Sequence, residues 1–224
     1  MWIINIYRII RDKYLFQKRK PYLKEIRKYI SNETSIISSN CFAGRIMQDL
    51  GMKYNTPTLG LWFMPDDFPK FCSNLPFYLK SEITECRHSK NELGEYKRTH
   101  RLKHSYPVGA LGGDVEIHFL HYYTFEEAKE KFRKRADRVN LDNVILIAFE
   151  QNGCTEEDVK SFDSIPHKKK LIFCSKSYPY KSVVYIKEFS NIGYVGDPYK
   201  QGHIYYKYLV RWLQKNNNES INDN

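Results

Sequence analysis

Short apolar runs rich in β-branched residues recur along this chain, and amphipathic stretches separate them. The clearest runs are TSIISS (34–39), NVILIAFE (143–150), KKLIFCS (169–175) and SVVYIKEF (182–189). Between them, TFEEAKEKFRKRADRVN and TEEDVKSFDSI have the caps and the spacing of helices. Strands that alternate with helices favour an α/β sandwich with a mainly parallel sheet.

The pattern also divides the chain. Residues 1–30 carry apolar side chains at helical spacing with basic residues between them, and Pro21 is expected to separate two helices. Residues 31–215 form the α/β domain. Within it, the polar stretch 88–103 lacks periodicity and reads as an exposed loop or hairpin, the best place for a subdivision. Residues 216–224 read as a flexible tail.

The chain is basic, with a formal net charge of +10. Nucleic acid, anionic lipid and a phosphorylated or acidic sugar are all partners that such a charge favours. Nucleic acid is the weakest of the three because no nucleic-acid recognition signature is present. Five scattered cysteines without a C-x-x-C pair argue against disulfides and a structural zinc site, and indicate a cytoplasmic protein.

The composition of the first twenty residues suits a membrane surface. Residues 1–20 alternate apolar and cationic side chains, and Trp2, Tyr7, Tyr14 and Phe16 suit a membrane interface. This segment either lies on an anionic leaflet, at the inner face of the cell membrane, or docks as a plain helix over the core.

The loop SSNCFAG follows the first predicted strand, where α/β proteins bind ligands. Ser39 and Asn40 offer hydrogen bonds, and the amides that lead through Gly44 into the next helix are able to hold a phosphate. An ordinary capped turn explains the same residues equally well. Cys41, at a helix N-terminus, is either a nucleophile or, more commonly for a free cysteine, a small buried side chain.

A second group of polar residues lies in GGDVEIHFLHY (112–122). On a strand, Asp114, Glu116 and His118 would project from one face, and His121 would reach the same space if the strand bends. Carboxylates with an imidazole are able to divide acid and base work or bind a divalent metal. The alternative is an edge strand with one solvated face.

Three further residues are candidates for substrate binding. Asp67 follows the apolar run TPTLGLWFM (56–64), which is predicted to be a strand, and one carboxylate of the Asp66–Asp67 pair exceeds what capping of the next helix needs. Arg138 and Asn140 lie where the basic helix 124–140 meets the next strand, and arginine matches the geometry of phosphate. The sequence identifies no cofactor, no metal and no oligomeric state.

Three segments in order resemble a known bacterial family: ISSNCFAGRIMQDLGMKYNTPTLGLWFMPDDFPKFCSNLPFYL, YPVGALGGDVEIHFLHYYTFEEAKEKFRKRADRVNLDN and FDSIPHKKKLIFCS. The resemblance runs from Tyr22 to Tyr199. Members of this family have no established activity and are commonly described as exopolysaccharide, capsule or lipopolysaccharide biosynthesis proteins. The resemblance implies a Rossmann-like α/β fold of two unlike subdomains and a cell-envelope polysaccharide context, without a mechanism.

Two functions remain as alternatives. The first is a glycosyl- or acyl/acetyltransferase that binds a phosphorylated donor or a lipid-linked glycan, with Asn40 and Arg138 at the phosphate and Asp114, Glu116 or His121 as base or metal ligand. The second is a non-enzymatic membrane-surface or assembly factor of the polysaccharide machinery.

Overall fold

Two β-sheets lie at the centre of the computed structural model, which describes residues 2–102 and 104–222. Their strands are β1 (Ser35–Ser38), β2 (Ile83–Cys86), β3 (Val108–Leu111), β4 (Val115–His118), β5 (Val144–Phe149), β6 (Lys170–Cys174) and β7 (Val183–Tyr185). β1, β5, β6 and β7 form a parallel sheet in that order, and β2, β3 and β4 form an antiparallel sheet. The α/β prediction is therefore confirmed, with a parallel and an antiparallel part.

Helices flank both sheets. They are α1 (Trp2–Ile26), α2 (Phe42–Asp49), α3 (Asp67–Ser73), α4 (Leu75–Tyr78), α5 (Glu92–His100), α6 (Phe125–Ala136), α7 (Glu156–Asp163) and α8 (Gly202–Asn222), with short 3-10 turns at Leu141–Asn143 and Lys187–Phe189. None of the helices in the described part of the chain is long and apolar enough to cross a membrane.

The antiparallel sheet belongs to an insertion (residues 67–136) between β1–α2 and β5. The segment 61–64 joins the two sheets. Trp62 and His118 exchange two backbone hydrogen bonds of 3.0 Å, and the Phe63 amide donates to the Ser39 carbonyl at 3.0 Å. This segment was expected to be a strand, but it makes a single bridge because Leu59 and Gly60 before it form a turn.

Both faces of the parallel sheet are covered. Ile145 and Ile147 of β5 pack in the core beneath α1, α2 and α8, whereas Leu146 and Ala148 face the core shared with α6, α7 and the insertion. A strand buried on both faces needs an apolar side chain at every position, which explains the continuous run of β5.

Two local predictions are wrong, and the last helix extends further than expected. Pro21 lies inside α1 and does not divide it. The burial of Leu23 and Ile26 and a 2.5 Å ion pair from Arg19 of α1 to Asp49 hold the helix together across the proline. Tertiary packing of this kind overrides the local cost of a proline.

The stretch 88–103 is also not a loop, because α5 occupies most of it. The Asn91 side chain caps the helix by accepting from the Gly94 amide at 3.1 Å. Acidic residues lie in the first turn and basic residues in the last, which complements the helix dipole. Finally, α8 continues to Asn222, so residues 216–222 of the expected tail are helical, and residues 223–224 lie outside the described part.

Candidate functional site

A cleft of about 1440 Å³ opens at the carboxyl ends of β1 and β5. Its walls come from the β1–α2 connection, the turn after β5, helix α5 of the insertion, the loop 193–199 and residues 11–12 of α1. In open α/β sheets, ligands bind at this edge because loops and helix N-termini converge there. The cleft is therefore the candidate functional site.

Hydrogen bonds of Asn40 and Gln151 form a polar clamp that fixes the floor of the cleft. Asn40 Nδ2 donates to Gln151 Oε1 at 3.2 Å, and Gln151 Nε2 donates to the carbonyls of Val195 and Gly196 at 3.0 and 2.7 Å. The left-handed backbone of Asn152 (φ 59°) then turns the chain away from β5. These bonds tie three segments that are distant in sequence into one rigid surface.

The start of α2 has fewer free backbone amides for a phosphate than the sequence suggested. Asn40 Oδ1 accepts from the Phe42 amide at 3.0 Å, and Ser38 Oγ accepts from the Ala43 amide at 2.9 Å. Two amides expected to cradle a phosphate are thus satisfied within the protein. The hydrogen bonds of Asn40 make it part of the clamp.

Cationic side chains supply the anion-binding character of the cleft. Five line it: Arg11, Arg45, Lys97, Arg101 and Arg135. Arg11 pairs with Asp12 at 3.0 Å, but the other four form no ion pair with a carboxylate of residues 2–102 or 104–222.

Aromatic rings and neutral oxygens hold three of these four in place. The Arg45 guanidinium lies 4.3 Å from the centre of the Tyr199 ring, and Lys97 Nζ lies 5.5 Å from that of Trp62. Lys97 also donates to Asn152 Oδ1, and Arg135 donates to the Tyr122 hydroxyl at 2.5 Å. Such contacts orient a cation without neutralising its charge.

The three carboxylates that line the cleft are already engaged. Asp12 accepts from the Tyr199 hydroxyl at 2.6 Å as well as from Arg11, and Asp197 accepts from the Tyr199 amide at 2.8 Å. Glu150 is buried and accepts from Ser175 and Tyr178. Because five cations face three carboxylates, the lining of the cleft has a net positive charge.

That charge changes the titration of its neighbours. Burial, and next the charge of Arg101, lower the pKa of both Lys97 and His121. Because an ordinary histidine has a pKa near 6.5, a lowered value leaves His121 neutral at pH 7. A neutral imidazole at the cleft is able to accept a proton.

Cys41 lines the same cleft as a neutral thiol. Burial raises its pKa to about 11, and its Sγ lies 3.5 Å from the Leu61 carbonyl oxygen. Since the thiolate is the nucleophile, this environment does not activate it. Gly44 also lines the cleft, where an added Cβ would clash with Leu59 Cδ1.

The Asp114–His121 ribbon does not converge on the cleft as a unit. Glu116 is buried beside His118, at 2.9 Å, and accepts from Ser89 Oγ at 2.5 Å and the Lys90 amide at 2.8 Å. Asp114 accepts from the Tyr78 hydroxyl. Of the ribbon's candidates, only His121 lines the cleft. No group of three or more His, Cys, Asp or Glu among the described residues is arranged to hold a metal.

Asp67 belongs to this second polar region and not to the cleft. It is fully buried and accepts from Lys90 Nζ at 2.6 Å. Burial raises its pKa to about 6, although Lys90 opposes the shift. Its second oxygen, Oδ2, has no hydrogen-bond partner in the described structure, which agrees with the raised pKa because no donor there stabilises the charged form.

The remaining candidates lie elsewhere. Arg138 Nε donates to the Tyr54 carbonyl at 2.8 Å, and the Asn140 amide donates to Ser35 Oγ at 2.9 Å, at the amino end of β1. That is the opposite end of the parallel sheet from the cleft. Ser39 connects β5 and the segment 61–64 through its backbone. Arg138 and Asn140 therefore shape a turn and do not reach a ligand in the cleft.

Sequence reasoning missed most of the cationic residues. Lys97 and Arg101 were read as part of a loop, while Arg11 and Arg45 lie on helices whose contact with Tyr199 is set by tertiary structure. A usable signal was present for α5: Asn91 followed by two glutamates and then by basic residues.

A relative from Haemophilus influenzae (strain ATCC 51907 / DSM 11121 / KW20 / Rd), described as "Uncharacterized protein", is 35% identical over 215 residues, covering 88% of this chain and 97% of the relative. The family model "Domain of unknown function (DUF1919)" matches residues 12–214. This match extends over most of the chain and includes every strand of the described structure and all of the cleft lining except Arg11, so the protein belongs to the DUF1919 family.

Proposed function

We propose that the protein is a transferase that binds a phosphorylated donor or a lipid-linked glycan in the cleft. The observation that carries the proposal is the set of four cations, Arg45, Lys97, Arg101 and Arg135, that face one cleft without ion-pair partners in the described chain. The resemblance found in the sequence supports a role in bacterial exopolysaccharide, capsule or lipopolysaccharide biosynthesis.

Burial lowers the pKa of Lys97, and the charge of Arg101 lowers it further, because like charges held together in a partly buried cleft repel one another. An anion that enters the cleft relieves this repulsion and forms charge-assisted hydrogen bonds, each worth about 1.5–3 kcal/mol. Arginine is suited to phosphate because its planar fork donates two parallel hydrogen bonds. A phosphorylated ligand fits these properties better than a neutral sugar does.

His121 is the base that fits a transfer reaction. It lines the cleft, and its lowered pKa keeps the imidazole neutral at pH 7. We propose that it accepts the proton of an acceptor hydroxyl as that oxygen attacks the donor, while the donor's bond to its phosphate or thiolate leaving group breaks and the leaving group takes the electron pair. The same role serves glycosyl and acyl transfer, so the donor decides between them.

The first test uses the pH dependence of anion binding. Sulfate keeps its charge between pH 5 and 8, and its affinity is expected to rise about three- to tenfold as pH falls, because protonated His121 adds one positive charge. The affinity rises, and does not fall, at lower pH because a bound anion favours the protonated, positively charged imidazole. Titration calorimetry of wild type and His121→Gln measures this.

Two variants serve as controls for that titration. His100 also lines the cleft, whereas His88 is exposed outside it. His88→Gln should keep the full pH dependence and His121→Gln should lose most of it. If His121→Gln retains the wild-type profile while His100→Gln loses it, His121 is not the titrating group and its role as base is abandoned.

A second candidate function is membrane-surface assembly, which the outer face of α1 supports. Ile6, Ile9, Ile10 and Tyr14 are 48–61% exposed. Exposed lysines, among them Lys13, lie on the same helix. The side chains of Trp2 and Tyr7, predicted to face the interface, lie outside the described part. An apolar face flanked by lysines fits an anionic leaflet better than a second copy, whose lysines would repel it.

Co-sedimentation with vesicles tests this candidate. Wild type is expected to bind vesicles that contain about 30% phosphatidylserine, an anionic lipid. The double variant Ile6→Glu/Ile10→Glu is expected to lose most of that binding. Ile192→Glu is the matched control, since Ile192 is an exposed isoleucine outside α1. Equal binding by the double variant and the control would exclude the α1 face as the membrane contact.

A further inference from the structure

The geometry points to a nucleoside diphosphate as the part of the ligand that the cleft recognises, an inference that rests on the proposed function and narrows it. Nucleotide sugars and acyl-coenzyme A both contain this group. The shared chemistry is two linked phosphates joined to a flat aromatic base. Three properties of the cleft support it.

The first property is size. The cleft measures about 1440 Å³. Sites for small ligands usually measure about 300–1,000 Å³. A single phosphate or a monosaccharide phosphate would leave most of this volume empty. A nucleoside diphosphate with an attached group fills it better.

The second property is the distribution of charge over two parts of the fold. Arg45 of α2 lies against Tyr199 together with Arg11, 4.3 and 5.5 Å from the ring centre. Lys97 and Arg101 come from α5 and its C-terminal end, in the insertion. Free cations from both parts suit a ligand whose charge extends over two phosphate groups.

The third property is a pair of exposed aromatic rings that line the same cleft. Tyr96 of α5 is 62% exposed, and His100 stacks on one face of its ring at 4.5 Å, 14° from parallel. Tyr194 is 57% exposed and follows Gly193, whose φ of 79° turns the loop. Exposed tyrosines beside arginine and lysine are a surface on which nucleobases stack.

The experiment compares the diphosphate with and without its nucleoside. Titration calorimetry without divalent metal is run with inorganic pyrophosphate, UDP and ADP. We expect at least one nucleoside diphosphate to bind about tenfold more tightly than pyrophosphate, the increment that base stacking supplies. Tyr96→Leu and Tyr194→Leu should reduce that increment and leave pyrophosphate affinity within about twofold. Tyr123→Leu is the control, since Tyr123 is exposed and does not line the cleft.

The outcomes separate this inference from the proposed function. If pyrophosphate binds and neither nucleoside diphosphate binds more tightly, the inference is wrong and the anion cleft stands. If no anion binds at all, both are wrong. If a single-stranded hexanucleotide binds more tightly than either diphosphate, the ligand is a nucleic acid and the inference is again overturned. Where UDP or ADP does bind, a UDP-sugar and acetyl-coenzyme A then identify the source.

Discussion

Replacing Arg45 and Arg101 together by alanine is expected to weaken pyrophosphate binding by about 100-fold or more. Each guanidinium offers a charge-assisted hydrogen bond worth about 1.5–3 kcal/mol, and the two lie on different walls of the cleft. Since neither forms an ion pair in the described structure and Arg45 loses only its contact with the Tyr199 ring, the melting temperature should fall little. Titration calorimetry and a thermal unfolding curve measure both effects.

A matched double variant controls for net charge. Lys131→Ala/Lys168→Ala removes two positive charges from exposed positions outside the cleft and should change the affinity by less than about threefold. A second measurement probes the field of Arg101 directly. Because its charge helps to lower the pKa of His121, Arg101→Ala should raise that pKa, as followed by NMR. An unchanged affinity in Arg45→Ala/Arg101→Ala would remove the basis of the proposed function.

The fold was predictable where burial dictates residue type. β5 is covered on both faces, so Val144–Phe149 is apolar throughout and stands out from its neighbours. α6 was found for a related reason: Ala128 and Phe132 recur at helical spacing behind the Thr124 cap. In both elements the tertiary environment leaves a periodic signal in the sequence.

The candidate site was less predictable because its residues are not tied to a periodic core. In α5, Gly94 is the one buried residue, so the helix carries no apolar stripe. In β4, the two-residue repeat of a strand placed Glu116 and His118 on one face, as the structure has them. The same repeat does not predict which element covers that face. Here α5 covers it, which turns an expected open site into a buried contact.

That buried contact gives the second large effect. Gly94→Ala is expected to destabilise the protein by about 1–3 kcal/mol, the usual range for overpacking, and to weaken pyrophosphate binding about tenfold or more. A Cβ at position 94 would lie 2.5 Å from Ser89 Oγ and 2.9 Å from His118 Cε1. α5 must then move away from β4 and carry Lys97 and Arg101 with it. Chemical denaturation and calorimetry measure the two losses.

Neither neighbour is free to give way. Ser89 Oγ is held by its 2.5 Å bond to Glu116, and the His118 ring stacks on Trp62 with centroids 4.1 Å apart. Alanine favours a helix over glycine by about 1 kcal/mol, so a loss of stability must come from the clash and not from helix propensity. Ser89→Gly removes one side of the clash, and Gly94→Ala should therefore cost less in that background, as a double-mutant cycle would reveal. If Gly94→Ala instead matches the wild type in both stability and pyrophosphate affinity, the position of α5 does not depend on this contact. Other contacts must then hold Lys97 and Arg101 in place.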